Sequence, residues 1–265
     1  MSAFETAKAH VPKRLWPKAL LKQHHRRTLF RSIEIETCSR CNLKCPTCPV
    51  TTDPRPDVRL SEDTWKRIVL DLKHLGFKGT LSPHLYNEPL LDDRLHGFLA
   101  FAKAEVPDLN IVVFTNATRL TPELFRTLAP LVHCVRITVD LPAIRKAVDR
   151  LAARLTEEER AKLSTRSIQE NALTNRGGTI DIDDPAMHAR TSCRLPMDYA
   201  AINVNGDVVL CTNDYRGAVS YGNVNTERLS DIWFSERFLD DRIDIYRGVF
   251  RHPICQICRT NEHES

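Results

Sequence analysis

Nine cysteines form two groups, one near each end of the chain, with Cys134 alone between them. The two groups are Cys38, Cys41, Cys45 and Cys48, and then Cys193, Cys211, Cys255 and Cys258. Thiols in a reducing cytoplasm rarely pair as disulfides, so clustered cysteines there indicate bound metal. The cysteine pattern therefore predicts metal at both ends of the chain.

The first group places three thiols in one loop, because Cys41, Cys45 and Cys48 are separated by three and then two residues. A 4Fe–4S cluster has four irons, so three cysteines leave one iron open to another ligand. A structural zinc site instead needs four ligands, and Cys38 could supply the fourth. The spacing favours a cluster and keeps zinc as the alternative. Cys38 and Cys134 are otherwise interpreted as small buried apolar residues.

The second group offers four thiols, which is enough to close a metal site completely. Cys193 and Cys211 bracket a segment with a hairpin signal, Asn205-Gly206, and Cys255 and Cys258 are two residues apart near the C-terminus. Four thiolates can ligate every iron of a cluster or can bind structural zinc. The residues alone leave both possibilities open.

The elements that would position these cysteines alternate between strands and helices. Strands are predicted at Ser32–Glu36, Thr80–Leu85, Ile111–Phe114 and Val135–Val139. Helices are predicted from Ser61 to Gly76, over Leu91–Lys103, from Thr121 onward, and once or twice within 144–163. Apolar strands alternating with helices predict a parallel α/β sheet, whose active site gathers where the strands end.

Candidate functional residues follow all four predicted strands, as this arrangement requires. They are the loop Cys41–Cys48 after the first strand, Tyr86-Asn87-Glu88-Pro89 after the second, Thr115-Asn116 after the third and Asp140 after the fourth. After Asn171 the sequence changes to two strand-like runs, Ala200–Val204 and Asp207–Leu210, and a helix over Ser230–Arg237. We therefore predict an α/β domain over 32–170 and a cysteine-framed appendage over 171–265.

The N-terminal residues 1–31 are strongly basic, with eight Lys or Arg residues against one acid, whereas the rest carries 30 basic and 33 acidic residues. Such an arm could attract nucleic acid, an acidic peptide or a membrane surface. The favoured interpretation is a solvated helix that packs on the α/β domain through Leu15, Trp16, Leu20 and Leu21. With no signal-like or membrane-spanning apolar run, the chain is expected in the cytoplasm, with no membrane partner.

The first cysteine loop resembles a known family signature. The run Glu34-x2-Thr37-x3-Cys41-Asn42-Leu43-Lys44-Cys45-Pro46-Thr47-Cys48-Pro49 is similar to that of radical S-adenosylmethionine (SAM) enzymes. The resemblance covers roughly residues 32–260 and implies a partial, open parallel β/α barrel with a 4Fe–4S cluster and SAM as cofactors. It also implies reductive cleavage of SAM to a 5′-deoxyadenosyl radical that abstracts hydrogen from substrate.

The resemblance assigns SAM contacts to the residues after the strands. Tyr86-Asn87-Glu88-Pro89 matches the family's Gly-Gly-Glu-Pro loop, with Tyr86 and Asn87 in place of glycines and Glu88 facing the methionine amine. Thr138 and Asp140 match positions that contact the ribose, and Thr115-Asn116 matches the rim facing the cluster. The alternatives are a helix-capping acid for Glu88 and ordinary polar strand ends for Thr138 and Asp140.

The second cysteine group resembles the twitch domain, a shortened SPASM domain, which implies one auxiliary 4Fe–4S cluster. Within the family the chain is most similar to dehydrogenases that oxidise an amino-sugar alcohol, and Arg176 matches a substrate-binding arginine. The resemblance implies a small polyol or amino sugar as substrate and a reductant such as flavodoxin or ferredoxin. A peptide maturase is the alternative chemistry, and a zinc-stabilised nucleic-acid-binding protein is the alternative from another class.

Overall fold

Eight strands form one sheet in the computed structural model, which describes residues 12–167, 175–181 and 191–258. They are β1 (Ser32–Ile35), β2 (Thr80–Ser82), β3 (Asn110–Thr115), β4 (Cys134–Thr138), β5 (Leu163–Arg166), β6 (Tyr199–Ile202), β7 (Asp207–Val209) and β8 (Ser220–Asn223). The order is β5-β4-β3-β2-β1-β6-β7-β8, and the pairs from β5 to β6 are parallel. The predicted open α/β architecture is confirmed.

Helices precede β1, occupy the connections from β1 to β6, and follow β8. They are α1 (Lys18–His25), α2 (Pro49–Thr52), α3 (Glu62–His74), α4 (Leu95–Glu105), α5 (Pro122–Leu128), α6 (Pro142–Ala152), α7 (Glu157–Ala161), α8 (Leu195–Asp198), α9 (Leu229–Trp233), α10 (Glu236–Tyr246) and α11 (Pro253–Ile257). Within the described ranges, no helix has the length and apolar character needed to cross a membrane.

Helix α3 shows how the sequence specifies these elements. The hydroxyl of Ser61 accepts a hydrogen bond from the Thr64 amide at 3.0 Å and so caps the helix. Trp65, one of the buried residues of its apolar face, stacks on Phe98 of α4 with ring centroids 4.9 Å apart. This packing joins α3 to α4.

The C-terminal hairpin is present, but it extends the sheet of the α/β domain. Strand β6 pairs in parallel with β1, Ser32 opposite Tyr199 and Ile35 opposite Ile202, and β7 then pairs antiparallel with β6. The part of the chain between Cys193 and Cys211 is therefore built onto the same sheet as the first cysteine loop. The predicted boundary at 170/171 lies outside the described residues, so the division into domains stays a prediction.

The prediction of one helix over Ser230–Arg237 was wrong in detail. The structure has α9 and α10, separated at Ser235, whose backbone has φ −56° and ψ 142°. The Ser235 hydroxyl accepts a hydrogen bond from the Phe238 amide at 3.3 Å. A serine that caps a new helix ends the preceding one, because its own backbone must leave the helical region.

The basic N-terminal segment packs through α1 on α10. Leu21 is fully buried in a cluster that includes Leu239 and Ile243, while Leu15 is 63% exposed and does not contribute to it. Lys18 and Lys22 form ion pairs with acidic residues of α10: Lys18 with Asp240 and Asp244, and Lys22 with Glu236 and Asp240. The acidic residues of α10 thus neutralise these two lysines. The predicted helix is present, but it packs on α10 in the C-terminal part of the chain, where the prediction placed it on the α/β domain.

Candidate active site

The carboxyl ends of the parallel strands surround a cavity of about 140 Å³, here called the active cavity. Its walls include the three cysteines of the first loop and seven further predicted site residues: Tyr86, Asn87, Glu88, Thr115, Asn116, Thr138 and Arg176. Asp140 is not among the lining residues; its carboxylate accepts a hydrogen bond from Ser167 at 2.5 Å. Sequence reasoning therefore located the cavity, with Asp140 just outside it.

The loop that carries Cys41, Cys45 and Cys48 is held by backbone contacts that leave the thiols half-buried. The Cys48 amide donates to the Cys45 carbonyl at 3.1 Å, and the Thr51 hydroxyl donates to the same carbonyl at 2.9 Å. Burial, followed by the nearby Cys48 and Cys41 thiols, raises the pKa of Cys45 to about 11. The three thiols therefore share one wall of the active cavity.

Glu88 is 2% exposed, and its carboxylate accepts several hydrogen bonds from the protein. One oxygen accepts from the Thr115 hydroxyl at 2.6 Å and from the Leu90 amide at 3.0 Å, and the other accepts from the Asn116 amide at 2.7 Å. Burial raises the pKa of Glu88, and these hydrogen bonds oppose the rise. The hydrogen bond from the Leu90 amide caps a short 3-10 helix, so Glu88 is a helix-capping acid, as one of the two predictions expected. Glu88 also lines the active cavity, which the other prediction requires.

Asn116 connects the loop after β3 to the cysteine loop. Its side-chain amide nitrogen donates to the Asn42 side-chain oxygen at 2.9 Å and lies 3.9 Å from the Cys41 sulfur. Hydrogen bonds to a thiolate sulfur stabilise its charge, which is a means of tuning an iron–sulfur centre. Asn42 belongs to the sequence signature, but its contact with Asn116 joins residues 74 apart and could not be predicted from the signature.

Tyr86 and Asn87 explain how the second loop does without glycines. Among the non-glycine residues described, positive φ values occur at Ala117 and Arg176, so the backbone at 86–87 lies in a region open to any side chain. The Asn87 amide oxygen accepts from the Leu85 amide at 3.1 Å and folds the loop locally. The two side chains therefore form part of the wall and are compatible with the loop's shape.

Arg176 reaches the active cavity from the segment before the second cysteine group. Its backbone has φ +47°, its guanidinium donates to the Asn213 side chain at 3.2 Å, and it lies 6.0 Å from the Tyr86 ring centroid. The next residue, Gly177 (φ +65°), packs so closely on α11 that a Cβ there would lie 2.7 Å from Ile254. The position of Arg176 is thus tied to the helix that carries Cys255.

Three lining residues escaped the sequence analysis: His84, Phe114 and Arg166. His84 falls inside the predicted second strand, but β2 ends at Ser82, which turns His84 toward the cavity. Burial, with Arg166 and Arg176 nearby, lowers the pKa of His84 to about 3, so the ring is neutral. Arg166 was missed because the strand Leu163–Arg166 was not predicted. In the structure its guanidinium lies 4.5 Å from the Phe114 ring centroid and 3.3 Å from the Thr138 hydroxyl.

A buried ion pair joins the first cysteine loop to the C-terminal part of the chain. The Arg55 guanidinium donates to both carboxylate oxygens of Glu36, which is fully buried at the end of β1 and also accepts from the Val204 amide. Burial raises the pKa of Glu36, and Arg55 opposes the shift. Arg55 also lies 4.3 Å from the Tyr215 ring centroid. Removing one partner would leave the other charge buried and unpaired.

The second cysteine group converges on a small cavity, here called the auxiliary site. Cys193, Cys211, Cys255 and Cys258 line it together with apolar side chains that include Leu195, Leu210, Ile245 and Ile254. Burial raises the pKa of Cys211, and the neighbouring thiols of Cys258, Cys193 and Cys255 raise it further. In the described ranges, no three His, Cys, Asp or Glu side chains are arranged to hold a single metal ion.

Comparison with known proteins identifies the class. A model of the radical SAM superfamily matches residues 35–181, more than half of the chain, and the chain belongs to that superfamily. A model of the SPASM iron–sulfur cluster-binding domain matches residues 193–260. The two matches contain the first and the second cysteine group, respectively.

The chain is similar over most of its length to the SAM-dependent 2-deoxy-scyllo-inosamine dehydrogenase of Niallia circulans. The two are 29% identical over 232 residues, which cover 87% of this chain and 93% of that enzyme. The structure of BtrN in complex with AdoMet and 2-DOIA matches with a TM-score of 0.80, 29% identity, and 87% and 93% coverage of the two chains. BtrN in an open conformation gives 0.68, with 24% identity and 88% and 96% coverage.

The chain is therefore a radical SAM enzyme related to a dehydrogenase, and its cofactors are SAM and 4Fe–4S clusters, one of them bound by the SPASM region. This confirms the predicted enzyme class and cofactors over the peptide-maturase and zinc-protein alternatives. The residues fit these groups, since three half-buried thiols open onto a cavity and four buried thiols meet in an apolar one.

Proposed function

We propose that this enzyme oxidises an alcohol of a small polyol or amino sugar to a carbonyl. The observation that carries the proposal is the similarity to the inosamine dehydrogenase over 87% of the chain. The active cavity supports it, because polar side chains such as Arg176, His84 and Arg166 line the part of the wall that the cysteines do not occupy. Such groups suit a hydroxylated substrate.

Cys41, Cys45 and Cys48 are proposed as the ligands of the catalytic cluster, and Cys193, Cys211, Cys255 and Cys258 as those of the auxiliary cluster. The support is their grouping in the active cavity and in the auxiliary site. When bound, the first cluster and SAM supply the 5′-deoxyadenosyl radical. The chain positions the substrate carbon near that radical and keeps water away.

Seven residues are proposed to hold SAM, as the family resemblance implies: Tyr86, Asn87, Glu88, Thr115, Asn116, Thr138 and Asp140. Glu88 would pair with the methionine ammonium, since its carboxylate is held rigidly by Thr115, Leu90 and Asn116 and keeps further lone pairs. Thr138 would contact the ribose at the cavity wall. Asp140 would require a small displacement of its loop to do the same, because it bonds Ser167.

Arg176 is proposed to hold the substrate by donating hydrogen bonds to its hydroxyl groups. Asn213 orients the guanidinium, and the turn at Gly177 fixes the backbone against α11. An arginine held in this way loses little additional entropy when substrate binds, which favours binding in one orientation. The proposed role makes Arg176 the link between the substrate and the auxiliary site.

The enzyme is proposed to work in the cytoplasm with a flavodoxin or ferredoxin as its reductant. All nine cysteines are free thiols in the structure, and thiols that must bind iron need a reducing compartment. A one-electron reductant is needed because SAM cleavage in this family consumes one electron.

The proposal is tested with anaerobically purified, iron-loaded enzyme, SAM, dithionite and 2-deoxy-scyllo-inosamine deuterated at its ring carbons. We expect a carbonyl product that has lost one carbon-bound deuterium and one hydroxyl proton, and deuterium in the 5′-deoxyadenosine. A second arm uses a panel of related polyols and amino sugars. Rapid formation of 5′-deoxyadenosine with no deuterium from any panel member would overturn the proposed substrate class.

A further inference from the structure

A second cavity of about 550 Å³ lies away from the active cavity and shares none of its lining residues. We call it the basic cavity. Its wall comes from α1 and the segments flanking it, from Arg194, from Met197 and Asp198 of α8, and from Tyr246 at the end of α10. It is therefore built where the N-terminal segment meets the SPASM region.

Cationic side chains outnumber acidic ones around this cavity. Lys13, Arg31 and Arg194 line it, and Asp198 is the acidic residue among the described lining. The Asp198 carboxylate lies 3.2 Å from the Arg194 guanidinium and 3.6 Å from that of Arg31, so one acid serves two cations. The Arg31 side chain is 78% exposed, which leaves its charge accessible to a partner. The surface thus carries excess positive charge suited to an acidic partner.

The wall behind this surface is shared with the auxiliary site, because neighbouring residues in the chain line the two cavities. Along the chain, successive residues face opposite ways. The auxiliary site is lined by Cys193, Leu195, Pro196 and Ile245. The basic cavity is lined by the residues that adjoin them in the chain, Arg194, Met197, Asp198 and Tyr246. The positive surface is therefore the outer side of the cluster's own wall.

We infer that the basic cavity is the docking surface for a small acidic one-electron carrier protein, which exchanges electrons with the auxiliary cluster through this wall. The inference rests on the proposed function. Hydrogen abstraction removes one hydrogen atom from the H–C–OH group, and forming C=O releases one further electron and one proton. An auxiliary cluster held by Cys193, Cys211, Cys255 and Cys258 would pass this electron to the oxidised carrier, and the proton would go to solvent. The reduced carrier can then supply the electron for the next SAM cleavage.

The first test measures binding of an oxidised flavodoxin to the holoenzyme under anaerobic conditions. The double variant Lys13→Glu/Arg31→Glu should raise the Kd roughly tenfold, because rim charges set electrostatic attraction. The matched control is Lys146→Glu/Arg150→Glu on α6, which connects β4 to β5 at the opposite edge of the sheet. It makes the same change in net charge and should leave the Kd near that of wild type. Raising the salt concentration should weaken wild-type binding.

The second test isolates the auxiliary cluster in a variant with Cys41, Cys45 and Cys48 all replaced by Ala. After reduction with dithionite and desalting, oxidised flavodoxin should reoxidise this cluster, and adding Lys13→Glu/Arg31→Glu should slow the absorbance change. Dithionite-driven formation of 5′-deoxyadenosine by the double variant on its own should remain at the wild-type rate, which separates this inference from the proposed function.

The docking inference would be overturned by an unchanged Kd in the double variant, by equal weakening in the control variant, or by a wild-type Kd that is independent of salt. Binding of a DNA duplex at this surface with no binding of flavodoxin would also overturn it, in favour of a nucleic-acid partner.

Discussion

The hydroxyl of Tyr86 donates a hydrogen bond of 2.5 Å to the carbonyl of Thr212, the residue after Cys211. Tyr86 lies in the loop after β2 and lines the active cavity, whereas Thr212 lies beside the auxiliary site. The two rings of Tyr86 and Tyr215 also meet edge-on with centroids 4.8 Å apart. One side chain therefore connects the walls of both proposed cluster sites.

Tyr86→Phe should keep the ring packing and remove this connection. The partly buried Thr212 carbonyl would lose its donor, at a cost of about 0.5–1.5 kcal/mol. We expect SAM cleavage to continue and the product formed per 5′-deoxyadenosine to fall. Tyr221→Phe is the control, because it removes a hydrogen bond to Asp241, and neither residue lines the active cavity. It should lower the melting temperature without changing that ratio, and an equal change in both variants would argue against a connecting role for Tyr86.

Replacing Cys41, Cys45 or Cys48 with Ala should abolish 5′-deoxyadenosine formation with dithionite, because the open iron requires all three thiolates. Iron content should drop by about four per chain in the variant that lacks all three, by the same ligand count. Cys38→Ala is the control: this thiol is fully buried beside the loop, where its hydrogen bond goes to the Arg40 carbonyl. SAM cleavage that depends on Cys38 would instead indicate four protein ligands.

The strands and the cysteine loops could be predicted because their signals are local. Apolar runs, the Ser61 cap and the three-two cysteine spacing each depend on residues close in sequence. The pairing of β6 with β1 could not be predicted in this way, since it joins Tyr199 to Ser32 across more than 160 residues. The Asn205-Gly206 turn predicted the hairpin but carried no information about which strand the hairpin would join.

The side chains of the active cavity also fall into two groups, those that a sequence motif indicates and those that only tertiary packing brings to the cavity. Glu88 and Arg176 were found through matches to a family motif, whereas Arg166 lies on a strand too short and polar to be recognised. Asn213 could not be found, because its role is to orient Arg176 from a loop 37 residues away. Contacts of this kind depend on tertiary packing, and no local pattern encodes them.

Gly177→Ala should destabilise the protein by about 1–3 kcal/mol, because an Ala Cβ would clash with Ile254 and an L-residue is strained at φ +65°. It should also lower product formation more than SAM cleavage, since Arg176 would shift. Gly97→Ala is the control: its Cβ meets no atom within 4 Å on the exposed side of α4. Helix propensity predicts a gain of about 0.5–1 kcal/mol there. Chemical denaturation measures both, and equal stability of Gly177→Ala and wild type would contradict the packing argument.

His25 should make stability depend on pH below neutrality. Burial, with smaller contributions from His24, Arg242 and other cations, lowers the pKa of His25 to about 4, against 6.5 in the unfolded chain. Below pH 6.5 the unfolded state therefore binds a proton that the folded state does not, and stability falls as the pH drops toward 4. His25→Asn should lose less stability than wild type between pH 7 and pH 5. Parallel stability–pH profiles would show that His25 is not the group responsible.

Replacing both Cys255 and Cys258 with Ala should uncouple SAM cleavage from substrate oxidation. These thiols line the auxiliary site and not the active cavity, so reductive cleavage to 5′-deoxyadenosine should continue. The substrate radical would lose its electron acceptor, because the four-thiolate set could no longer hold a fully ligated cluster. Oxidised product should therefore fall while 5′-deoxyadenosine persists. Metal binding and folding are coupled, so the kinetics are interpreted only if the variant still melts cooperatively. A folded variant that lacks the auxiliary cluster and still forms product at the wild-type rate would exclude an electron-accepting role for this cluster.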